Sequence, residues 1–217
     1  MRRFGAATGE LKIIDTKIVG LRDREFFGEA DTGIVAIRLR STVDRRNKFS
    51  VPTRGQFSRF TYTFASSKIG SSIGYTSFEG MFEFYYTYNK RLTFRPSVSF
   101  GIADLTTPFS EQFRLGGRKT FYGTRENRFV GRKYLHSSYE LRYKLPVRNY
   151  FNIHFSLRYD FGRSLRIPDT PFLFENFVSG YGGAIIFETP IAPATVEWGK
   201  SSEGTERVYI TAGYDFN

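Results

Sequence analysis

The chain has 217 residues, no Cys, two His, a formal charge of +11, and 18% aromatic residues, with 24 Phe and 14 Tyr against one Trp. The absence of Cys excludes a disulfide scaffold and thiolate metal sites, and two His argue against any other metal centre. No window approaches 18 consecutive apolar residues, which excludes a membrane-spanning helix but not barrel strands, which need only about 9–11 alternating residues.

Residues 1–9 carry no pattern. MRRFGAATGELKII has no apolar stretch of the kind that heads a secretory signal, so an exported form is expected to be a mature or shortened chain. Glu10–Leu21 alternates poorly and is expected as a first strand. From 31 to 41, Val35, Ile37 and Leu39 alternate with Ala36, Arg38 and Arg40. VPTRG, Val51–Gly55, is a Pro/Gly turn before a strand in which Phe60, Tyr62 and Phe64 oppose Arg59, Thr61 and Thr63. After a Gly/Ser turn over Ser66–Gly74, Phe82, Phe84, Tyr86 and Tyr88 oppose Met81, Glu83, Tyr85 and Thr87. Asn89-Lys90 predicts a tight hairpin into a strand at 92–100. Pro96 removes a ladder hydrogen bond there and predicts a bulge or an edge.

Residues 105–133 then form a long, polar, glycine-punctuated loop without apolar periodicity, between the fifth and sixth predicted strands. A connection of that length usually has a function of its own. Alternation resumes with Leu135, Ser137, Tyr139 and Leu141 on one side and His136, Ser138, Glu140 and Arg142 on the other. After a turn at Pro146–Asn149, the residues from Phe151 to Phe161 alternate without a break with those from Asn152 to Gly162. Strands at 181–187, 194–198 and 208–216 bring the expected total to ten, with no helix.

Charged residues sit in mid-strand on one face: Arg38, Arg40, Arg59, Glu83, Arg95, Glu140, Arg142, Lys144, Arg158, Asp160 and Glu197. The opposite face is almost purely Phe, Tyr, Leu, Ile and Val. In a soluble sandwich or a lipocalin-like barrel the apolar face would be the core. In a membrane barrel it meets lipid, and the charges pair inside the lumen. Aromatic density and short turns alternating with longer loops favour the second. The expected architecture is a single all-β domain over 1–217, an antiparallel transmembrane β-barrel of about ten strands with its long loop folded toward the lumen. Cations spread along strands and loops read as lumen lining, not as a nucleic-acid surface.

The order VPTRG, LGG…FYGTREN…GR, RYDFG, TPIAP and a terminal strand closing on Phe216 resembles the C-terminal half of the Omp85, or bacterial surface antigen, barrel superfamily. The likeness covers about 31–217. FYGTREN with SSYELRYKLP looks most like the barrel that follows a patatin-like phospholipase domain. The resemblance implies a non-enzymatic barrel of the bacterial outer membrane that needs no cofactor. Its partners would be outer-membrane lipid, the outer-membrane assembly machinery and a passenger polypeptide or N-terminal domain. It points to Gly116, Gly117, Tyr122, Gly123, Arg125 and Glu126 as the loop motif, Asp160 as its lumen contact, and Tyr214 and Phe216 as the terminal-strand signal. Two departures stand out. The family's loop carries an Arg-Gly pair, whereas Tyr122 precedes Gly123 here, so Arg125 or Arg118 is expected to supply the cation for Asp160. The family barrel has about sixteen strands behind periplasmic modules, so this chain would be a reduced barrel or a fragment.

Two patterns invite an enzymatic reading. Gly70-Ser71-Ser72-Ile73-Gly74 matches G-x-S-x-G, but a nucleophile elbow needs a helix next, and a strand follows. His136, Ser138 and Glu140 share the polar face, making a small outer-membrane acyl hydrolase the alternative. Residues two apart on a strand are nearly 7 Å apart, too far for a direct His–Ser bond in ordinary rotamers, so a lumen hydrogen-bond network is expected instead.

Overall fold

The computed structural model describes residues 4–18, 30–146 and 151–213. Ten strands form one sheet: β1 (Phe4–Ile18), β2 (Ala30–Asp44), β3 (Gly55–Ala65), β4 (Tyr75–Tyr88), β5 (Leu92–Ala103), β8 (Lys133–Lys144), β9 (Asn152–Leu165), β10 (Val178–Glu188), β11 (Pro193–Ser201) and β12 (Glu206–Ala212). Each pairs antiparallel with the next, and five follow the long loop. Two short strands, β6 (Phe113–Leu115) and β7 (Phe129–Gly131), pair with each other inside that loop. At three residues each they are too short to show a period. β1 begins at Phe4, earlier than its poor alternation suggests. Residues 19–29, the turn at 147–149, Tyr214 and Phe216 lie outside the described residues. Among those described, β1 and β12 are the two edges of the sheet.

The distribution of polarity is inverted relative to a soluble domain. Asp160 is 0% exposed, and Glu83, Glu140, Arg142, Arg158 and Glu197 are all buried. On the other face Leu157 is 68% and Ile210 77% exposed, with Leu39, Phe84, Tyr86, Phe155, Tyr159 and Val208 also outside. Soluble monomers rarely show an apolar face of this extent. Among the described residues no helix is long and apolar enough to cross a membrane.

Several turns form for local reasons. Asn89 and Lys90 both take positive φ, 46° and 60°, the geometry of a two-residue hairpin whose twist matches its strands. The G-x-S-x-G stretch leaves a one-turn 3₁₀ segment (Ser67–Ile69), capped by left-handed Gly70, and enters β4 directly. Pro96 differs from expectation: β5 is interior, and its pairing with β4 lapses between Glu83↔Ser97 and Tyr86↔Phe94 and resumes in unchanged register. The missing N–H is accommodated by a local gap, while the pairing Pro96↔Tyr139 with β8 continues.

The sheet curls around its polar face. Residues 45–54, joining β2 to β3, reach β10 across the interior. Val51 is buried with Ala184 and Ile186, Lys48 pairs with Glu188 at 3.0 Å, and Arg142 donates to the Pro52 carbonyl at 3.2 Å. From the opposite end, residues 104–132 fold into the same interior.

Candidate functional site

The site is the seat of this long loop against the wall formed by β8 to β11. The loop's shape is set by its glycines and threonines. Gly116 and Gly117 take φ of 129° and 80°, and a Cβ at Gly117 would overlap the Glu126 carboxylate. The Thr120 hydroxyl bonds both the Gly116 N–H (2.6 Å) and its carbonyl (2.9 Å). The Thr124 hydroxyl accepts from the Gly117 N–H at 3.1 Å and donates to the Phe121 carbonyl at 2.9 Å. These bonds hold a turn that drives Phe121, 1% exposed, into a cluster with Leu115 and Tyr134.

Tyr122 and Gly123 form the tip, which fits a slot without side chains. A Cβ on Gly180 would lie 2.6 Å from the Tyr122 carbonyl oxygen, and one on Gly182 2.7 Å from the Tyr122 ring. One on Gly199 would lie 2.7 Å from the Gly123 nitrogen. Gly123, at φ 77°, packs on the backbone of Lys200 and Ser201. Its carbonyl accepts from the Thr205 hydroxyl at 2.6 Å, and Tyr209 donates to the Thr124 carbonyl at 2.7 Å. Gly180, Gly182 and Gly199 seat the loop tip, and the alternation of apolar residues does not reveal them. Their signal is glycine recurring on the polar face of strands, which marks a close backbone approach.

Asp160 anchors the tip from below. It accepts from the Tyr122 backbone N–H at 2.9 Å and from Arg158 Nε at 2.8 Å, with His136 Nε2 at 3.6 Å. Arg158 is the hub of the site. It also donates to the carbonyls of Arg118 (2.8 Å), Lys119 (3.3 Å) and Thr120 (3.1 Å), and its guanidinium stacks 4.4 Å from the Tyr122 ring centre. Burial, with Glu197 nearby, pushes the Tyr122 phenol well above its ordinary range, so it remains a donor.

The expected cation source is therefore corrected. Arg125 is exposed, and Arg118 pairs with Glu197 at 3.5 Å. Arg158, two residues before Asp160 on the same strand face, supplies the charge. The loop contributes backbone N–H and carbonyl groups where an arginine was expected. Gly116, Gly117, Tyr122, Gly123 and Asp160 are brought together. Arg125 and Glu126 lie at the exposed base, where the Glu126 carboxylate packs against Gly117.

His136 and Ser138 do not face each other as a base and nucleophile would. The Ser138 hydroxyl accepts from Arg158 Nε at 2.9 Å, and Glu140 is held by Arg95, Arg142 and the Ser156 hydroxyl. His154 faces Glu188 at 3.3 Å. Among the described residues, no group of three or more His, Asp or Glu is placed to hold a metal ion.

A buried polar interior, an apolar outer face and a loop folded into the interior define an outer-membrane β-barrel. The Omp85 superfamily domain matches residues 25–216, and the chain belongs to that superfamily. Among solved structures it is similar to BamA from Haemophilus ducreyi lacking POTRA domains 1–3, with a TM-score of 0.70 at 13% identity, over 85% of this chain. The match covers 43% of that structure, so this chain spans less than half of it, and the likeness is one of fold. A search of curated proteins finds no match.

Proposed function

We propose that this barrel anchors, assembles or translocates a partner polypeptide in the bacterial outer membrane, and that it is not an enzyme. The observation that carries this reading is the seated loop: a long polar segment held in the interior by a hub arginine and a glycine slot, with no nucleophile–base pair beside it among the described residues. By the length rule for such barrels, residues 104–132 enter from outside the cell and 45–54 from the periplasm. Tyr214 and Phe216 are the proposed signal for the assembly machinery.

The test uses the protein folded into lipid vesicles. An unfolded outer-membrane barrel or a passenger segment is added, and its insertion is followed by the faster migration of its unboiled band on SDS gels. Insertion faster than in bare vesicles, and slowed by Gly199→Val, is expected. Insertion no faster than in bare vesicles would sink the assembly reading. Hydrolysis of a short-chain ester that Ser138→Ala abolishes would establish the hydrolase instead.

A further inference from the structure

The loop leans on β8 to β11 and leaves a cavity of about 140 Å³ between itself and the wall of β3, β4 and β5. The cavity lies away from both sheet edges. Five cations contribute to its lining, Arg59, Arg95, Arg158, Arg114 and Lys119, against Glu79 as the one carboxylate. Glu79 is engaged by the Tyr134 hydroxyl at 2.7 Å. Arg95 is committed to Glu83 and Glu140, and Arg158 to Asp160. Arg59 is different. It packs over the Phe57 ring and forms no ion pair with a described carboxylate. Its diagonal neighbour Arg40 forms none either: Arg40 is opposite Thr61, and Arg59 is opposite Thr42.

Nε of Arg59 and Nε of Arg95 have no hydrogen-bond acceptor among the described residues, and both side chains line the cavity. Arg59, half-buried and without an ion-paired carboxylate, keeps capacity for an anion, and arginine's planar fork matches the oxygens of a phosphate or sulfate. We propose that this cavity binds a small oxyanion of the phosphate or sulfate class. Because Arg114 belongs to the loop and Arg59 and Arg95 to the wall, the anion would add a tie between them, beside the contacts that Glu111 makes with Lys12, Arg38 and Tyr75. The group could be free in solution or carried on a lipid headgroup.

The test measures the thermal unfolding midpoint of the folded protein in phospholipid-free detergent micelles, titrated with inorganic phosphate against sodium chloride of equal ionic strength. A phosphate-specific rise is expected for wild type and for Arg54→Gln, an exposed turn variant. Arg59→Gln should weaken the apparent affinity by about tenfold or more. Arg114→Gln, in the cavity lining but exposed, gives a second reading if Arg59→Gln does not yield the faster-migrating folded band. A rise in micelles assigns the free anion. A rise seen only in phosphatidylglycerol vesicles, absent in phosphatidylcholine and lost in the variant, assigns the lipid headgroup. No phosphate-specific rise in either setting, or a rise that both variants retain, overturns the proposal.

Discussion

Tyr122 stands where the family resemblance leads one to expect an arginine, and its surroundings explain how the chain tolerates the exchange. The cation comes from the wall as Arg158, which covers the Tyr122 ring and caps three loop carbonyls. Restoring the motif by Tyr122→Arg would then set a second guanidinium against Arg158, and we expect this variant to be less stable than wild type, not more. Tyr122→Phe keeps the stacked ring and should cost far less; equal stability of Tyr122→Arg and wild type in urea unfolding would refute the exchange. Arg158→Ala leaves Asp160 buried without its cation and should destabilise by about 3–5 kcal/mol. The double variant with Asp160→Ala should be markedly better than additive, since neither charge is then left alone. Asp160 itself is legible in RYDFG because a mid-strand acid on a polar face needs a partner. Arg158, two residues away, is equally visible, yet nothing in the order of residues says that its terminal nitrogens reach loop carbonyls. That depends on where the loop lands.

At the scale of elements, the ten sheet strands and their facing are readable because each repeats with a period of two for long enough to register. β6 and β7 are not, and β1 is readable only in part. Pro96 illustrates the limit: proline in a strand announces a lost donor, but whether a bulge, an edge or a skipped pairing absorbs the loss is decided by the neighbouring strand. The glycine slot is a joint property of β10 and β11. Gly199→Val would put side-chain atoms where the Gly123 nitrogen and the Tyr122 Cβ lie, 2.7 and 2.8 Å from the Cβ position, and the loop tip should leave its seat. Because the chain has no Cys, Thr124→Cys provides a single buried thiol at the tip. Maleimide should label it slowly in the parent and at least about tenfold faster with Gly199→Val, as local opening governs access to a buried group. Equal labelling rates would mean that the slot does not hold the loop.

For the whole molecule, the interior is occupied from both ends. Residues 45–54 close one mouth through Val51, the Lys48–Glu188 pair and the Arg142–Pro52 bond, while the long loop fills the other. An interior occupied in this way is filled by side chains and loops instead of holding an open channel. Planar bilayers containing the protein should therefore show little ion current. Replacing residues 45–54 by a two-residue hairpin turn should raise it, and an unchanged current would show that the long loop seals the interior alone.

The glycine slot also bears on the order in which the protein folds. Tyr122 is held by Asp160 on β9, by Gly180 and Gly182 on β10 and by Gly199 on β11, all of which follow it in the chain. A hairpin of β10 and β11 that closed first would leave a cleft too tight for backbone to thread. The loop must instead be present as those strands zip past it, so that its capture and the laying down of the C-terminal hairpin are one kinetic event. A chain whose loop arrives late would be a trapped one, and slow folders in a population should be those with the tip still outside.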